Sequence, residues 1–236
     1  PLASSGLPSK NELELLNVWK DEIPAEVFTE TFTPPITDGS GNDRKNLLKA
    51  KEILEKEGWF VEDGKLVKDG KEFKFEFLIV SPSDEKIALA YQSNLKKLGI
   101  TMDVRTVDSS QYQERLLSYD FDMIKRYWGV SLSPGNEQQF YWGSEVGQKD
   151  GSRNYPGINS PAVDALIEKL ISATNREELT TAIHALDRVL LWGHYVVPLY
   201  HSNKDRIAYW DFFEYPDEIP LYGIVIESWW INKDKQ

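Results

Sequence analysis

Cysteine is absent from the 236 residues, which excludes a disulfide scaffold, a thiolate metal site and a cysteine nucleophile, and accords with an exported bacterial protein. Long apolar runs are missing too. The candidates, such as Phe77-Leu78-Ile79-Val80, fall far short of the roughly 18 to 20 residues of a membrane-spanning helix. Positive charge is in short supply, 27 Lys plus Arg against 38 Asp plus Glu for a net charge of -11, so a nucleic-acid backbone is repelled. The three histidines, His184, His194 and His201, lack the i, i+4 pairing of a zinc site and read as packed or surface residues. Gly39-Ser40-Gly41 precedes a helix without the third glycine or the Lys of a phosphate loop. No Gly-x-Ser-x-Gly elbow occurs, and His201-Ser202 suggests no triad. Asp120 and Asp122 flank Phe121 and read as a solvated turn. The expectation is a protein that is not an enzyme and needs no metal or cofactor.

Hydrophobic residues make up 41% of the chain and aromatics 12%, enough for a sizeable core. Residues 1–41, punctuated by Pro8, Pro24, Pro34, Pro35, Gly39 and Gly41, read as an irregular, wrapped segment with one short helix around 12–19. From Asn42 or Asp43 as N-cap, Leu47, Ala50, Ile53 and Leu54 recur at helical spacing until Gly58. Asp63-Gly64 and Asp69-Gly70 are turn signals. Phe73, Phe75, Phe77 and Ile79 then alternate with Lys74, Glu76 and Leu78 as a strand. After Ser81-Pro82-Ser83, Ile87, Tyr91, Leu95 and Leu98 form a helical stripe closed by Gly99, and Ile100, Met102, Val104 and Thr106 alternate as a second strand. Asp108 or Ser109 opens a third unit, a helix with Tyr112, Leu116 and Leu117 followed by a strand over 121–128. Strand, helix, strand, helix, strand with short links predicts an α/β fold with a parallel or mixed sheet. Two helices follow, one starting at Ser160-Pro161 and one at an Asn175…Glu178 capping box running to Trp192. Val196, Val197, Leu199 and Tyr200 predict another strand, as do residues 207–210, and an apolar tail covers 224–231.

Ligands of such sheets sit beyond the carboxyl ends of the strands, which singles out Tyr127, Trp128 and the stretch 129–159 after them. A loop this long is functional or disordered, and Phe140, Tyr141, Trp142 and Tyr155 favour an ordered one. Eight tryptophans and eleven tyrosines are the compositional anomaly. Aromatic rings join wide apolar contact to a polar tip, which suits a site gripping varied ligands, although core packing is the better account of any single ring. Tyr127-Trp128 and Tyr141-Trp142 bracket the loop. Lys125 and Arg126 beside them either anchor a ligand carboxylate or line a solvated strand face.

The order of short motifs carries a family resemblance. Asn46-Leu47-Leu48-Lys49-Ala50-Lys51-Glu52-Ile53-Leu54-Glu55-Lys56-Glu57-Gly58 resembles the Ala-Lys-x-Leu-Leu-x-x-Ala-Gly helix of family 5 extracellular solute-binding proteins. Asn94-Leu95-Lys96-Lys97-Leu98-Gly99-Ile100 is similar to their helix-to-strand junction. Residues 112–117, followed by Tyr119-Asp120-Phe121-Asp122 and Trp128-Gly129, resemble their Tyr-x-x-Arg-Leu, Asp-Phe-Asp and aromatic strand end. Ser160-Pro161-Ala162-Val163-Asp164 and Val197-Pro198-Leu199-Tyr200 are similar to a later helix start and strand. Ser5-Gly6-Leu7-Pro8-Ser9 and Glu12-Leu13-Glu14-Leu15-Leu16 further resemble the YejA-like branch, linked to peptides and microcin C-type conjugates.

The resemblance implies a periplasmic protein with lobes of the type II periplasmic-binding-protein kind, mixed sheets with flanking helices, closing on a peptide or peptide-like solute by hinge motion and docking on an ABC permease. Such a protein is peripheral to the membrane. Residues 1–41 and 42–203 would belong to the C-terminal lobe, and 204–236 would return to complete the N-terminal lobe. Pro1 to Ser9 read as the start of a chain cut from something longer, with a signal peptide expected in the missing N-terminal half. Tyr209, Trp210, Phe212, Phe213, Trp229 and Trp230 are then expected to be exposed or covered by self-association. Family members hold peptides through main-chain hydrogen bonds and wet pockets, and place an Asp after the aromatic strand end to pair with the peptide amino terminus. Ser131 stands at that position here, with Asn136 and Glu137 close behind. Serine supplies no charge, so the expected ligand is longer, modified or differently anchored, with Glu137 as a substitute from another direction. The expected contact set is Lys125, Arg126, Tyr127, Trp128, Ser131, Asn136, Glu137, Tyr141, Trp142 and Tyr155. The alternatives are the ligand-sensing domain of a transcription regulator and, on aromatic and acidic content alone, a carbohydrate-active enzyme.

Overall fold

The computed structural model describes residues 2–41, 43–129, 131–147, 149–200, 204, 206–221 and 223–235. Two compact units divide the chain, Pro1–Tyr195 and Val196–Gln236. The first opens with α1 (Lys10–Leu16), capped by the Ser9 side chain, and the single turn α2 (Glu26–Thr29). Helix α3 (Arg44–Lys56) starts on Asp43, whose carboxylate accepts the Asn46 N–H at 2.9 Å. The alternative cap, Asn42, lies outside the described residues. Of the expected stripe, Leu47, Ala50 and Leu54 turn inward, whereas Ile53 is 54% exposed.

Strands β1 (Phe60–Glu62), β2 (Lys65–Lys68) and β3 (Lys71–Glu72) form a small antiparallel sheet. Its two turns are the Asp-Gly pairs, with all four residues at positive φ between 48° and 80°, the geometry whose twist matches that of the flanking strands. The Leu66 N–H donates to Gly99 O at 2.7 Å and ties this sheet to the next.

The second sheet is parallel, with β4 (Lys74–Ile79) between β5 (Thr101–Thr106) and β6 (Met123–Ile124). Helix α4 (Pro82–Lys96) joins β4 to β5, and α5 (Ser109–Leu117) carries the chain across to β6. The period of two along β4 separates its faces. Phe77 and Ile79 pack with Ala88 and Leu95 of α4, while Leu78 packs with Tyr112 and Leu116 of α5. The helices therefore cover opposite faces, and the chain changes side at the carboxyl ends of β4, β5 and β6.

Strand β6 is much shorter than the expected 121–128. Its register sets Ile124 opposite Leu78, and β4 ends one residue later. The chain there turns at Ser81, the N-cap of α4, so residues 125–128 overhang the sheet with no neighbour to form a ladder. Before β6, the Asp122 carboxylate accepts the Glu76 N–H at 2.8 Å, which replaces a ladder bond. The stretch 129–159 is not one loop, since α6 (Glu137–Trp142) lies inside it.

Helices α7 (Pro161–Ile171) and α8 (Arg176–Trp192) form the remaining layer with α1. Ser160 and Asn175 cap them as read. Glu178 completes its box one residue early, accepting the N–H and hydroxyl of Thr174, both at 2.9 Å. Val163, Leu166, Ile167, Ala185 and Leu186 meet Leu16, Ile23 and Val27 from the opening segment in a sealed core. Each buried Val, Leu or Ile side chain contributes about 1.5–3 kcal/mol by leaving water. Arg188 crosses this layer, 4% exposed, donating through Nε to Glu12 at 2.6 Å and through its other nitrogens to the carbonyls of Ser5, Gly6 and Leu7 at 2.7–3.2 Å. Every arm of this buried cation has an acceptor, so the opening segment is pinned down despite its irregular backbone.

The second unit holds a two-residue pair, β7 (Phe213–Glu214) with β8 (Trp230–Ile231). The strands expected at 196–200 and 207–210 do not form among the described residues, because no described strand lies alongside either to share its hydrogen bonds. Tyr209, Tyr215 and Trp229 cluster at centroid distances of 5.0–5.7 Å, whereas Trp210 is 73% exposed.

Candidate functional site

The overhang 125–128 carries four of the expected site residues beyond the carboxyl end of the parallel sheet. Lys125 turns onto Asp84, an acid of the first turn of α4, in an ion pair whose members are 14% and 12% exposed. The hydrogen bond that the ammonium donates to Asp84, opposed by desolvation, raises its pKa above the ordinary value, with Tyr127 assisting. The Lys125 ammonium also lies 5.3 Å from the Tyr127 ring centre, and that ring is 75% exposed. The ion pair places the Lys125 ammonium against α4, and not on a solvated strand face. Its charge is neutralised inside the unit.

Arg126 turns the other way. Its Nη2 donates to the Tyr155 hydroxyl at 3.1 Å, and the guanidinium lies 4.8 Å from the centre of that ring. Trp128 stacks on Trp142 at 5.2 Å and 25° and leans on Tyr155 at 6.4 Å. Tyr155 in turn meets Tyr119 and Phe121 at 6.2 and 6.5 Å. Arg126, Trp128, Trp142 and Tyr155 thus converge from three parts of the chain, with Tyr141 edge-on to Trp142 at 6.4 Å. The cluster spans a joint: Trp142 packs against the α1–α7–α8 core, and Tyr155 against the Leu78–Tyr112–Leu116 core. Arg126 Nε and Trp128 Nε1 are sealed from solvent and have no hydrogen-bond partner among the described residues.

Ser131, Asn136 and Glu137 do not join the cluster directly. Ser131 Oγ accepts the Ser133 N–H at 3.0 Å in a local turn. Val130, between it and Gly129, lies outside the described residues. Asn136 is exposed and precedes α6 without capping it. Glu137 folds back to accept the Gly135 N–H at 3.0 and 3.1 Å and the Gln138 amide at 3.3 Å. Desolvation is the largest single effect on its carboxyl and works upward. The bonds from Gly135, from its own backbone and from Gln138 together outweigh it and hold the pKa below the ordinary value. Gln138 also accepts the Trp142 indole N–H at 3.1 Å, which couples the turn to the aromatic stack.

Asn154 supplies what the sequence reading missed. Fully buried, it donates to the carbonyls of Gly143 and Ile158 at 2.9 and 2.8 Å and accepts the Ile158 N–H at 2.9 Å. A Cβ on Gly147 would stand 2.6 Å from its amide nitrogen, so only glycine fits there. This bracket sets Tyr155. A polar residue between Arg153 and Tyr155 gave no signal in the sequence, and neither did Asp84, 41 residues from Lys125.

Cavities also lie elsewhere among the described residues. One of about 260 Å³ is bounded by Leu54, Trp59, Val61 and Leu66, and one of about 90 Å³ in the second unit by Ile207, Tyr209, Tyr215 and Trp229. His184 Nδ1 stands 3.6 Å from Glu12, and His194 packs 6.2 Å from Trp192, so both belong to the helical layer. His201 and Ser202 lie outside the described residues. Among the described residues no group of three or more His, Asp or Glu is placed to hold a metal ion, and no helix is long and apolar enough to cross a membrane.

A parallel sheet with helices on both faces and an aromatic cluster beyond its strand ends defines a lobe of the type II periplasmic binding proteins. The solved structure of the oligopeptide-binding protein AppA from Bacillus subtilis, in complex with a nonapeptide, shares this fold with a TM-score of 0.58 at 23% identity, over 78% of this chain and 38% of that one. Residues 18–150 match the model of the family described as bacterial extracellular solute-binding proteins, family 5 Middle, and the chain belongs to that family. It is similar to the uncharacterized protein y4wM of Sinorhizobium fredii, 50% identical over 97% of this chain and 35% of that protein. It is also similar to the "Probable peptide-binding protein YejA" of Agrobacterium fabrum, 43% identical over 98% of this chain and 38% of that protein. The chain spans less than two fifths of the length of these relatives.

Proposed function

We propose that this chain forms the C-terminal, ligand-facing part of a periplasmic solute receptor for an ABC importer, and that its solute is a peptide or peptide-like molecule. The observation that supports this most is the convergence of Arg126, Trp128, Trp142 and Tyr155 beyond the parallel strand ends of a family 5 chain. Large rings give a peptide apolar contact without dictating its sequence, and the relative named for peptide binding points to the same class. In this reading residues 1–203 belong to one lobe and 204–236 return to the other. The site is a wall completed when the lobes close, and the closed form is what the permease engages. Ligand work is binding alone, with no catalytic step.

Calorimetry and thermal melting of the protein that carries this chain, with randomised peptide mixtures, test the proposal. A ligand at a hundred times its Kd stabilises the folded state by about 2.7 kcal/mol, a readily measured rise in Tm. Heat and stabilisation with peptides are expected. No response to peptides, with a response to an oligosaccharide or a metal chelate, overturns it.

A further inference from the structure

The charges around the strand end have one sign to offer. Of the carboxylates near it, Asp84 is engaged by Lys125 and Glu137 by the Gly135 N–H at 3.0 Å, whereas Asp120 and Asp122 lie before β6, at the opposite, amino end of the sheet. Ser131 is neutral and closes its own turn. Lys125 is neutralised. Arg126 alone differs, because among the described residues it forms no ion pair. Its partners are neutral, the hydroxyl and ring of Tyr155 and the side chain of Tyr112, and its Nε is sealed without an acceptor among the described residues. A half-buried guanidinium with no counter-charge, in a chain whose net charge is -11, is an unusual element to leave unpaired.

We infer that Arg126 is the anion subsite of the receptor and takes a carboxylate of the solute, so that a bound peptide points its carboxyl end, not its amino end, at the strand end. This rests on the receptor reading above and adds the polarity of the ligand. The planar guanidinium, held by Tyr155, presents a fixed fork that suits a carboxylate, and the stacked pair Trp128 and Trp142 flanks the residues next to that end. An ammonium group would instead meet the Arg126 cation, with the Glu137 carboxylate folded back onto its own turn.

The test uses randomised tetrapeptide mixtures lacking Asp and Glu, in free, N-acetylated and C-amidated forms, titrated into the protein that carries this chain. Amidation is expected to weaken binding at least tenfold and acetylation less than threefold. In Arg126→Met the free and amidated forms become equivalent, while Arg126→Lys retains part of the preference. The wild-type comparison does not depend on how well either variant folds. Acetylation weakening binding more than amidation, or an unchanged preference in a folded Arg126→Met, overturns the inference and leaves the receptor reading standing. Failure of all three forms to bind overturns both.

Discussion

The helical layer around Leu166 and Leu186 and the aromatic cluster around Trp128 are both largely apolar, yet they treat polar atoms oppositely. In the layer, Arg188 and Glu12 are buried and every arm of the guanidinium has an acceptor. At the strand end, Arg126 Nε and Trp128 Nε1 are sealed and unpartnered. The aliphatic layer is also made of helix faces, whereas the cluster assembles from an overhang, a short helix and a loop. The layer satisfies its donors internally, whereas the cluster that the proposed function uses leaves two without a partner among the described residues.

This contrast can be broken in graded steps. Arg188→Met leaves the Glu12 carboxylate buried without its cation and is expected to cost about 3–5 kcal/mol, read from urea denaturation. A shift as small as that of a surface substitution would remove Arg188 from the structural side of the comparison. Leu166→Ala in the same layer should cost about 2–5 kcal/mol, the range for a cavity in a sealed aliphatic core.

Asn154→Ala strands the Ile158 N–H and is expected to cost about 1–3 kcal/mol, with faster amide exchange over 143–158. Exchange that stays unchanged there would mean that the bracket does not hold Tyr155. A double-mutant cycle on Trp128→Ala and Trp142→Ala should give a coupling of about 0.5–1.5 kcal/mol, the value of one stacked pair. Coupling near zero would show the rings to be independent.

Glu137→Gln is the gentlest probe. A carboxyl whose folded pKa lies below its ordinary 4.5 stabilises fully above the unfolded value and loses that contribution as pH falls through the folded one. The stability gap between wild type and variant should therefore hold from pH 7 to about 5.5 and close only below the ordinary carboxylate range. A gap that closes above pH 6 would assign the turn to another group.

Local chemistry was readable in the sequence. Ser160 and Asn175 cap the helices they were expected to cap, and Asp43 and Asp108, each one of two candidates, cap theirs, because a cap is decided within four residues. The alternation in β4 likewise reported its two covered faces. Strands at 196–200, 207–210 and 125–128 were misread because apolar, β-prone composition says nothing of whether a neighbour exists to complete the ladder. At the site, the aromatic pairs were visible as doublets. The opposite fates of Lys125 and Arg126 were not, since Asp84 and Tyr155 reach them across 41 and 29 residues.

The Arg188 clamp also bears on how the chain acquires its structure in time. Its nitrogens hold the Ser5 carbonyl across 183 positions of sequence, and Ser4 reaches Asp187 across the same interval. Helices α7 and α8 are neighbours in sequence and pair across a short link, whereas the segment before α1 has to be brought back across 183 positions. Closing so long a loop carries an entropic cost that short-range pairs avoid. The opening segment is accordingly expected to be the last part of its layer to gain protection in pulsed hydrogen exchange, well after α7 and α8, so the order of assembly runs against the order of translation.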